Sequence, residues 1–429
     1  MDAIKKLNKT HFDVILMTVS QVFGRSINAV RDILVAYFFG ASIFVDLYFL
    51  ILSLPGYVGG FMNSPMPSLI LPIVEKDTPD QQRSRLGQFL SYFCKSTSLA
   101  SILIILLGFC YFYLTDKTVD EKKYALATLL LLMSTVPMNT ISQLGNSWYS
   151  FQKNFKALSV YNLIAPVTSI STFFMTVKIL GVWSLPVSYF IACVVEAVVY
   201  YKNLEINHNI PVIPSLPKKQ LAKDYSQLGL AGVFLSSTTV VDNFMVGMCG
   251  EGSIALYNYG IKIILGLITV LASVVTYYYH QTFNSFLVNR KINDFKSSYF
   301  GSLKLIFTGG LIFIVGIFYL SDFIIDLLYN TGKLNQGELK TISNVQIYYA
   351  LQFPFMIAGG LCSRCLSSLD LNKRIFNIAI VSTFLNVLMN YILIDSWGVV
   401  GVALSTSIVY FVSFLLLNFF LFRDLKNAK

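Results

Sequence analysis

One segment near the start of the chain, residues 32–56, reads DILVAYFFGASIFVDLYFLILSLPG. It contains two apolar runs that are separated at Gly40, and each continues into a stretch of about 20 residues, the length that a bilayer-spanning helix needs. Asp32 and Asp46 stand inside or beside these runs. Charged residues within membrane spans are rare and usually functional. The segment therefore predicts two membrane helices that carry functional charges.

The composition of the whole chain points to the same class of protein. The 429 residues are 55% hydrophobic and 13% charged, whereas soluble domains carry about 25% charged residues. Twelve apolar spans follow one another, near residues 12–38, 43–73, 88–114, 124–146, 157–179, 183–201, 224–248, 253–282, 298–328, 342–369, 375–394 and 398–421. We predict an all-α integral membrane protein with about 12 transmembrane helices, not a soluble enzyme, a nucleic-acid binder or a disordered scaffold.

The net charge of +10 is a signal of topology. If the N-terminus is inside, the outer loops hold only five of the 32 Lys and Arg residues, namely Lys117, Lys122, Lys123, Lys333 and Lys340. Cytoplasmic loops of membrane proteins carry an excess of Lys and Arg. We therefore expect the N-terminus and the C-terminus to be cytoplasmic, and we expect no nucleic-acid partner.

A polar segment divides the chain into two halves. Residues 202–223 read KNLEINHNIPVIPSLPKKQLAK and contain no apolar run. We predict an N-terminal six-helix bundle over residues 1–201, a cytoplasmic linker over residues 202–223, and a C-terminal six-helix bundle over residues 224–429.

The two halves resemble each other in sequence. Residues 32–40 (DILVAYFFG) match residues 242–250 (DNFMVGMCG), and residues 181–188 (GVWSLPVS) match residues 398–405 (GVVGVALS). Because each half has an even number of helices, the repeats share one orientation in the membrane. This arrangement predicts a central cavity between two bundles and transport by alternating access.

Seven Lys and Arg residues lie inside predicted spans, and we expect three of them to face the central cavity. Arg25 and Arg31 are in the first span and Lys262 is in the eighth. Arginine and lysine in a cavity suit phosphate oxygens, so we expect a pyrophosphate-linked lipid as the ligand. The alternatives are an ion pair of Arg31 with Asp32 or Asp46, and a snorkelling or structural role for Arg25 and Lys262.

The second span contains a helix-breaking sequence. We expect Leu54, Pro55 and Gly56 to break this helix, so that Pro55 and Gly56, together with Asp32, serve in gating. Glu196 lies deep in the sixth span, and its protonation is a further hypothesis.

No catalytic or nucleotide-binding motif is present in the sequence. Cys362 and Cys365 form a CxxC pattern without a second pair or a nearby histidine, so packing is the favoured role. We therefore expect a transporter without a covalent step or an ATPase, and with no cofactor.

These residues also carry a family resemblance. The stretch VFGRSINAVRDILVAYFFGASIFVDLYFLILSLPG, which begins at Val22, and the stretch EGSIALYNYGIKI, which begins at Glu251, resemble the MurJ (MviN) lipid II flippases. This family belongs to the multidrug/oligosaccharidyl-lipid/polysaccharide (MOP) exporter superfamily, whose fold is also that of the MATE drug exporters. The resemblance implies a flippase of the bacterial cytoplasmic membrane that moves an undecaprenyl-pyrophosphate-linked glycan from the inner to the outer leaflet.

The resemblance assigns roles to particular residues. Arg25 and Arg31 match the two cavity arginines of the family, Asp46 matches its essential aspartate, and Lys262 stands where the family has an arginine. The resemblance thus implies that these four residues bind the substrate, with Asp46 also pairing with an arginine.

The chain departs from the family in three respects. Gly59 replaces a second-helix arginine, Ile261 replaces an aspartate, and we count 12 helices where the family usually has 14. The motifs favour a MurJ-like protein, whereas the helix number favours a Wzx-type flippase of O-antigen or capsule repeats. The departures lean toward an undecaprenyl-pyrophosphate glycan other than lipid II.

The resemblance also implies an ion site. Its residues are Asp242, Asn386, Asn390, Val402 and Thr406. A site of oxygen ligands with one carboxylate suits Na⁺, although Asn390 replaces an aspartate of the family. An interhelical hydrogen-bond network is the alternative. Coupling to Na⁺, to H⁺ or to the membrane potential therefore stays open.

Two other functions are possible for such a chain. A cation-coupled multidrug exporter of the same superfamily would line its N-terminal cavity with acids, whereas here cations dominate. A membrane scaffold without transport would tolerate the loss of Arg25 or Lys262. We expect a monomer whose partners are the bilayer and the lipid-linked glycan.

Overall fold

A computed structural model describes residues 2–62, 66, 74–75, 77–204, 206, 234, 236–289, 291–330, 332–369 and 371–427. Within these residues, all regular secondary structure is helical. The predicted all-α class is confirmed.

The helices of the first half are α1 (Asp2–Phe39), α2 (Ile43–Met62), α3 (Pro79–Leu114), α4 (Val119–Phe151), α5 (Phe155–Leu180) and α6 (Ser184–Asn203). In the second half, α7 covers residues 236–246. It is followed by α8 (Ser253–Val288), α9 (Ile292–Tyr329), α10 (Gln336–Ala350), α11 (Phe353–Ser368) and α12 (Asn372–Asn427).

The helices have the length and surface of membrane spans. Among the described residues, eight helical stretches are long and apolar enough to cross a membrane, and some join two of the predicted spans, as in α5 with α6. The exposed faces of α3 and α9 carry large apolar side chains, including Leu103, Leu107, Ile312 and Phe323. Such continuous apolar surface suits lipid and not water. The count of 12 spans and the cytoplasmic placement of both termini stay predictions.

The chain forms two compact units. Unit 1 consists of Met1–Arg31 and Ile43–Ser236, and unit 2 consists of Asp32–Ser42 and Ser237–Lys429. The last turns of α1 thus belong to the second unit. Most of the predicted linker, residues 202–223, lies outside the described residues, and the predicted domain boundaries stay a prediction.

In unit 1, α4 packs against α2, α3 and α6. Gly145 permits the close approach of α4 to α6, because a Cβ atom there would overlap the ring of Tyr200. Threonine begins α4 in the usual way, since the Thr118 hydroxyl accepts a hydrogen bond from the Glu121 amide.

In unit 2, α8 packs against α10 and α11, and α12 packs against the same two helices. Gly260 of α8 lies so close to α10 that a Cβ atom would come within 2.6 Å of Val345 Cγ1. Asn335 and Glu338 form a reciprocal capping box at the start of α10.

The backbone supports the internal duplication. Gly181 and Gly398, which the sequence repeat aligns, have nearly the same torsion angles, φ 55° and ψ −131° against φ 55° and ψ −135°. Gly40 and Gly250, the ends of the other aligned segments, also have positive φ angles. Both pairs lie at helix ends or kinks, where a residue without Cβ is required.

The expectation that the second span must break at Pro55 is wrong. The helix α2 runs from Ile43 to Met62 with Pro55 inside it. A proline removes one hydrogen bond from the helix ladder, and neighbouring groups in a membrane protein can compensate for that loss without ending the helix.

Candidate functional site

The two arginines of α1 have different surroundings. Arg25 is exposed. Its neighbour Gly24 faces α5, where a Cβ atom would come within 3.3 Å of the Asn162 carbonyl oxygen and of Pro166. The close contact between α1 and α5 therefore uses Gly24 and leaves the side chain of Arg25 on the surface.

Arg31 lies in a polar centre within unit 1. Its side chain is 5% exposed, and its Nη2 atom donates to the Tyr48 hydroxyl at 2.7 Å and to the Leu185 carbonyl oxygen at 3.3 Å. The Ser188 hydroxyl is 3.5 Å from the same nitrogen. The guanidinium carbon also lies 5.7 Å from the centroid of the Tyr48 ring, within cation–π range. Arg31 thus joins α1 to α2 and α6.

Asp46 lies in the first turn of α2 and is 3% exposed. A carboxylate at a helix N-terminus is stabilised by the helix dipole. Its predicted pairing with an arginine stays a prediction.

Asp32 and Lys262 form an ion pair within unit 2. Lys262 Nζ lies 3.2 Å from Asp32 Oδ2, and the exposed fractions of the two side chains are 31% and 7%. The lysine is therefore reachable by a ligand, whereas the aspartate is nearly buried. The sequence selected both residues, but it offered Asp32 only as an alternative partner of Arg31 and did not pair it with Lys262.

The five residues of the predicted ion site come together in unit 2. Asp242 is 3% exposed. Its Oδ1 atom accepts hydrogen bonds from the Asn386 and Asn390 amides at 3.0 and 2.8 Å, and its Oδ2 atom lies 2.9 Å from the Thr406 hydroxyl. The same hydroxyl lies 3.1 Å from the Val402 carbonyl oxygen. Helices α7 and α12 thus meet at one carboxylate.

The donor set of this centre fits a small hard cation. The Oδ1 atoms of Asn386 and Asn390 are buried and have no hydrogen-bond partner among the described residues. The orientation of an amide is assigned from its hydrogen bonds, so a bound cation at Asp242 would favour the opposite orientation, with both oxygens turned inward. Carboxylate, amide, hydroxyl and carbonyl oxygens are the ligands that hard cations prefer.

Sequence reasoning missed one member of this centre. The hydroxyl of Tyr257 donates to Asp242 Oδ2 at 3.1 Å. The sequence repeat could have indicated this residue, because the offset between Tyr48 and Tyr259 aligns Tyr257 with Asp46. A polar residue at this position in both halves indicates that each half has its own polar centre there.

The repeat relates the two centres more closely. Leu185 and Ser188, which hold Arg31, correspond to Val402 and Ser405. In unit 1 the Leu185 carbonyl oxygen accepts a hydrogen bond from the guanidinium group of Arg31. In unit 2 the equivalent carbonyl oxygen, that of Val402, lies beside the carboxylate centre. The Ser405 hydroxyl is buried without a hydrogen-bond partner in the described part of the chain.

Comparison with known proteins identifies related sequences. The sequence profile described as the lipid II flippase MurJ matches residues 35–429. A probable lipid II flippase MurJ of Buchnera aphidicola subsp. Acyrthosiphon pisum is 24% identical over 438 residues, which cover 96% of this chain and 83% of the relative. The profile match includes both units.

Solved structures share the fold. A lipid II flippase MurJ in an inward closed conformation superposes with a TM-score of 0.79 at 23% identity, over 94% of this chain and 87% of that one. An inward-facing multidrug resistance MATE transporter of the MOP superfamily superposes with a TM-score of 0.66 at 15% identity, over 98% and 96% of the two chains. These likenesses confirm the predicted MOP/MATE-like fold.

Proposed function

Because the chain belongs to the MurJ family of lipid II flippases, we propose that it moves an undecaprenyl-pyrophosphate-linked glycan from the inner to the outer leaflet of the bacterial cytoplasmic membrane. The observation that carries this proposal is the profile match over residues 35–429. It favours a flippase of lipid-linked glycans over a multidrug exporter, and it makes lipid II the first substrate to test. The cycle forms and breaks no covalent bond, so the protein acts as a transporter and not as an enzyme.

In this proposal, Arg25 and Lys262 bind the pyrophosphate directly. Arg25 is exposed and Lys262 is partly exposed, so both charged groups are accessible to a ligand. Arginine binds two phosphate oxygens at once, whereas lysine supplies a point charge. Arg31 is the third cation, and its guanidinium must leave Tyr48 and Leu185 before it contacts a ligand.

The ion pair of Asp32 and Lys262 links substrate binding to a conformational change of the protein. A pyrophosphate that binds Lys262 competes with Asp32 for the ammonium group. When Asp32 loses Lys262 as its partner, its nearly buried carboxylate carries an uncompensated charge, which is unfavourable. Asp32 must then move to water or find another donor, and in this role it serves in gating.

The centre at Asp242 would hold a monovalent cation, with Na⁺ the first to test. Asp242, Asn386, Asn390, Thr406 and the Val402 carbonyl oxygen would be its ligands. The cation would supply positive charge to a buried carboxylate. Without it, the residues of this chain hold the carboxylate through four hydrogen bonds, including that of Tyr257.

The energy source in this proposal is an ion gradient or the membrane potential. Moving one elementary charge across the membrane changes the free energy by about 2.3 kcal/mol per 100 mV. The cations and the anionic headgroup therefore make the cycle sensitive to voltage.

Complementation tests the proposed function in cells. A strain depleted of its own lipid II flippase would receive the wild type or the variants Arg25→Ala and Lys262→Ala. Growth with the wild type and no growth with equally expressed variants supports lipid II transport. Failure of a well-expressed wild type contradicts lipid II as the substrate and directs the test to capsule or O-antigen repeats.

A further inference from the structure

Unit 1 contains a polar cavity that the pyrophosphate proposal does not use. Its volume is about 440 Å³, and it lies between α2, α4 and α6. The wall formed by α2 consists of Pro55, Gly56 and Gly59. Apart from the adjacent residues and the backbone of α2, no atom of the described residues lies within 4 Å of the position that a Cβ atom of Gly56 would take. Small residues on α2 thus leave room for a ligand, in the range of 300–1,000 Å³ that ligand sites occupy.

The wall formed by α4 is a stripe of polar side chains. Asn139, Ser142, Gln143 and Asn146 line the cavity, and their spacing of three, four and seven residues places them on one face of the helix. The Asn146 amide oxygen accepts a hydrogen bond from Tyr200 at 2.8 Å, which fixes this side chain. A polar stripe on a membrane helix requires water, a polar partner or a ligand.

The wall formed by α6 contributes the charge. Tyr189 and Glu196 line the cavity from α6, and the described lining residues include one acid, Glu196, and no Lys or Arg. Its carboxyl group lies close to Ser142. The Ser142 side chain is 4% exposed, and its hydroxyl makes no hydrogen bond of good geometry within the described residues. The Glu196 carboxyl group and the Ser142 hydroxyl thus form one polar group on the cavity wall.

The charge and size of the cavity define the ligand. With no cation among the described lining residues, the carboxylate repels phosphate and attracts a positive group. The cavity is far larger than a metal site, and its amide and hydroxyl groups suit a ligand that carries hydrogen-bond donors and acceptors around its charge. An organic ammonium group with neighbouring amides or hydroxyls, as in an amino sugar or an amine-bearing peptide, has this chemistry.

The geometry points to a second subsite for the transported headgroup, in which Glu196 binds an organic ammonium group and the amides of α4 bind the polar groups beside it. The inference rests on the proposed function, because it takes the ligand to be the polar end of the lipid-linked glycan. It adds a determinant of specificity that the cations of α1 and α8 do not provide.

Calorimetric titration of the full chain in phosphatidylcholine nanodiscs tests this inference. One pair of probes is glucosamine and N-acetylglucosamine, and the other is Nα-acetyl-lysine methylamide and its Nε-acetylated form. We expect at least one amine to bind the wild type about tenfold or more tightly than its acetylated counterpart, and the pair that does so identifies an amino sugar or a peptide amine. Equal affinities within both pairs would overturn the inference.

Variants connect the preference to Glu196. Glu196→Gln is expected to reduce the preference to about twofold or less, whereas Asp116→Asn, the same chemical change at an exposed loop position of unit 1, is expected to retain it. If Glu196→Gln does not fold, Gln143→Lys brings a cation to the cavity from an exposed side chain and is expected to remove the preference. A preference that survives either folded cavity variant would overturn the inference.

This binding test does not depend on transport. A protein that flips lipid-linked glycan but shows no amine preference contradicts the subsite alone. A protein that shows the preference but does not flip contradicts the proposed function alone.

Discussion

At the scale of single residues, the two arginines of α1 differ in what holds them. Arg25 is exposed, whereas the nearly buried Arg31 donates to Tyr48 and Leu185. A buried hydrogen-bond partner that is left unsatisfied costs about 1–3 kcal/mol. Substitution by alanine should therefore reduce stability at Arg31 and not at Arg25.

We expect Arg31→Ala to lower the thermal unfolding temperature by several degrees, because it removes the hydrogen bond to the Tyr48 hydroxyl and leaves a buried cavity. Arg25→Ala should unfold within about one degree of the wild type while losing most of its transport. Unfolding of the detergent-purified proteins, followed by fluorescence, measures the difference. Equal losses of stability in both variants would contradict the assignment of Arg25 as an accessible ligand.

The ion pair in unit 2 predicts a second effect. Lys262→Ala leaves Asp32 without its partner at 3.2 Å and removes a phosphate ligand, so we expect the initial flipping rate to fall about tenfold or more. Lys262→Arg keeps the charge and should retain most of the rate. Lys123→Ala, at an exposed position whose pair with Asp120 is 4.0 Å long, is the control. An unimpaired Lys262→Ala would remove Lys262 from the mechanism.

The centre at Asp242 predicts a specific response to sodium. A ligand at 100 times its Kd stabilises a folded protein by about 2.7 kcal/mol. We expect NaCl to raise the unfolding temperature by about 2 °C more than choline chloride at equal ionic strength. Asn390→Asp adds a second carboxylate and should lower about tenfold the Na⁺ concentration that is required for this rise in the unfolding temperature. Asp242→Asn should abolish the response, and the same response in that variant would exclude this centre as the site.

At the scale of elements, the repeated glycines show what duplication requires of the backbone. Gly181 and Gly398 share torsion angles with φ of 55°, and only some of the residues that follow them are identical. This conformation is nearly restricted to glycine, and another residue there is strained by about 1–3 kcal/mol. The sequence match of GVWSLPVS with GVVGVALS therefore reflects one backbone geometry that is used twice.

Gly181→Ala and Gly398→Ala should each destabilise the protein by about 1–3 kcal/mol. Gly316→Ala is the matched control, because Gly316 lies inside α9 with open space at its Cβ position. Alanine at that position should be neutral or slightly stabilising. Thermal unfolding of the three purified variants tests this, and a stable Gly398→Ala would contradict the strained geometry.

Some elements followed from the sequence and others did not. Hydropathy indicates membrane helices because lipid requires apolar side chains over a fixed length. The predicted break at Pro55 is wrong because helix propensity describes the local chain, whereas α2 continues through Pro55 in its packed environment. The ion-pair partner of Lys262 and the hydrogen bond of Tyr257 to Asp242 depend on tertiary contacts, which spacing along one chain does not specify.

At the scale of the whole molecule, the family match and the apolar helices indicate a multi-pass transporter. Each unit holds its own buried polar centre, one around Arg31 and one around Asp242. Buried charges are retained in membranes chiefly where function requires them. We therefore expect these charges to serve transport and not anchoring.

The most direct measurement is flipping of fluorescent lipid II in proteoliposomes, followed by the fraction that an impermeant quencher reaches over time. We expect the wild type to accelerate the appearance of quencher-accessible lipid II, and Arg25→Ala and Lys262→Ala to reduce the rate about tenfold or more at equal reconstitution. A correctly folded wild type that leaves the rate at that of empty vesicles would contradict lipid II transport. Unchanged rates in both variants would contradict binding of the pyrophosphate by these cations.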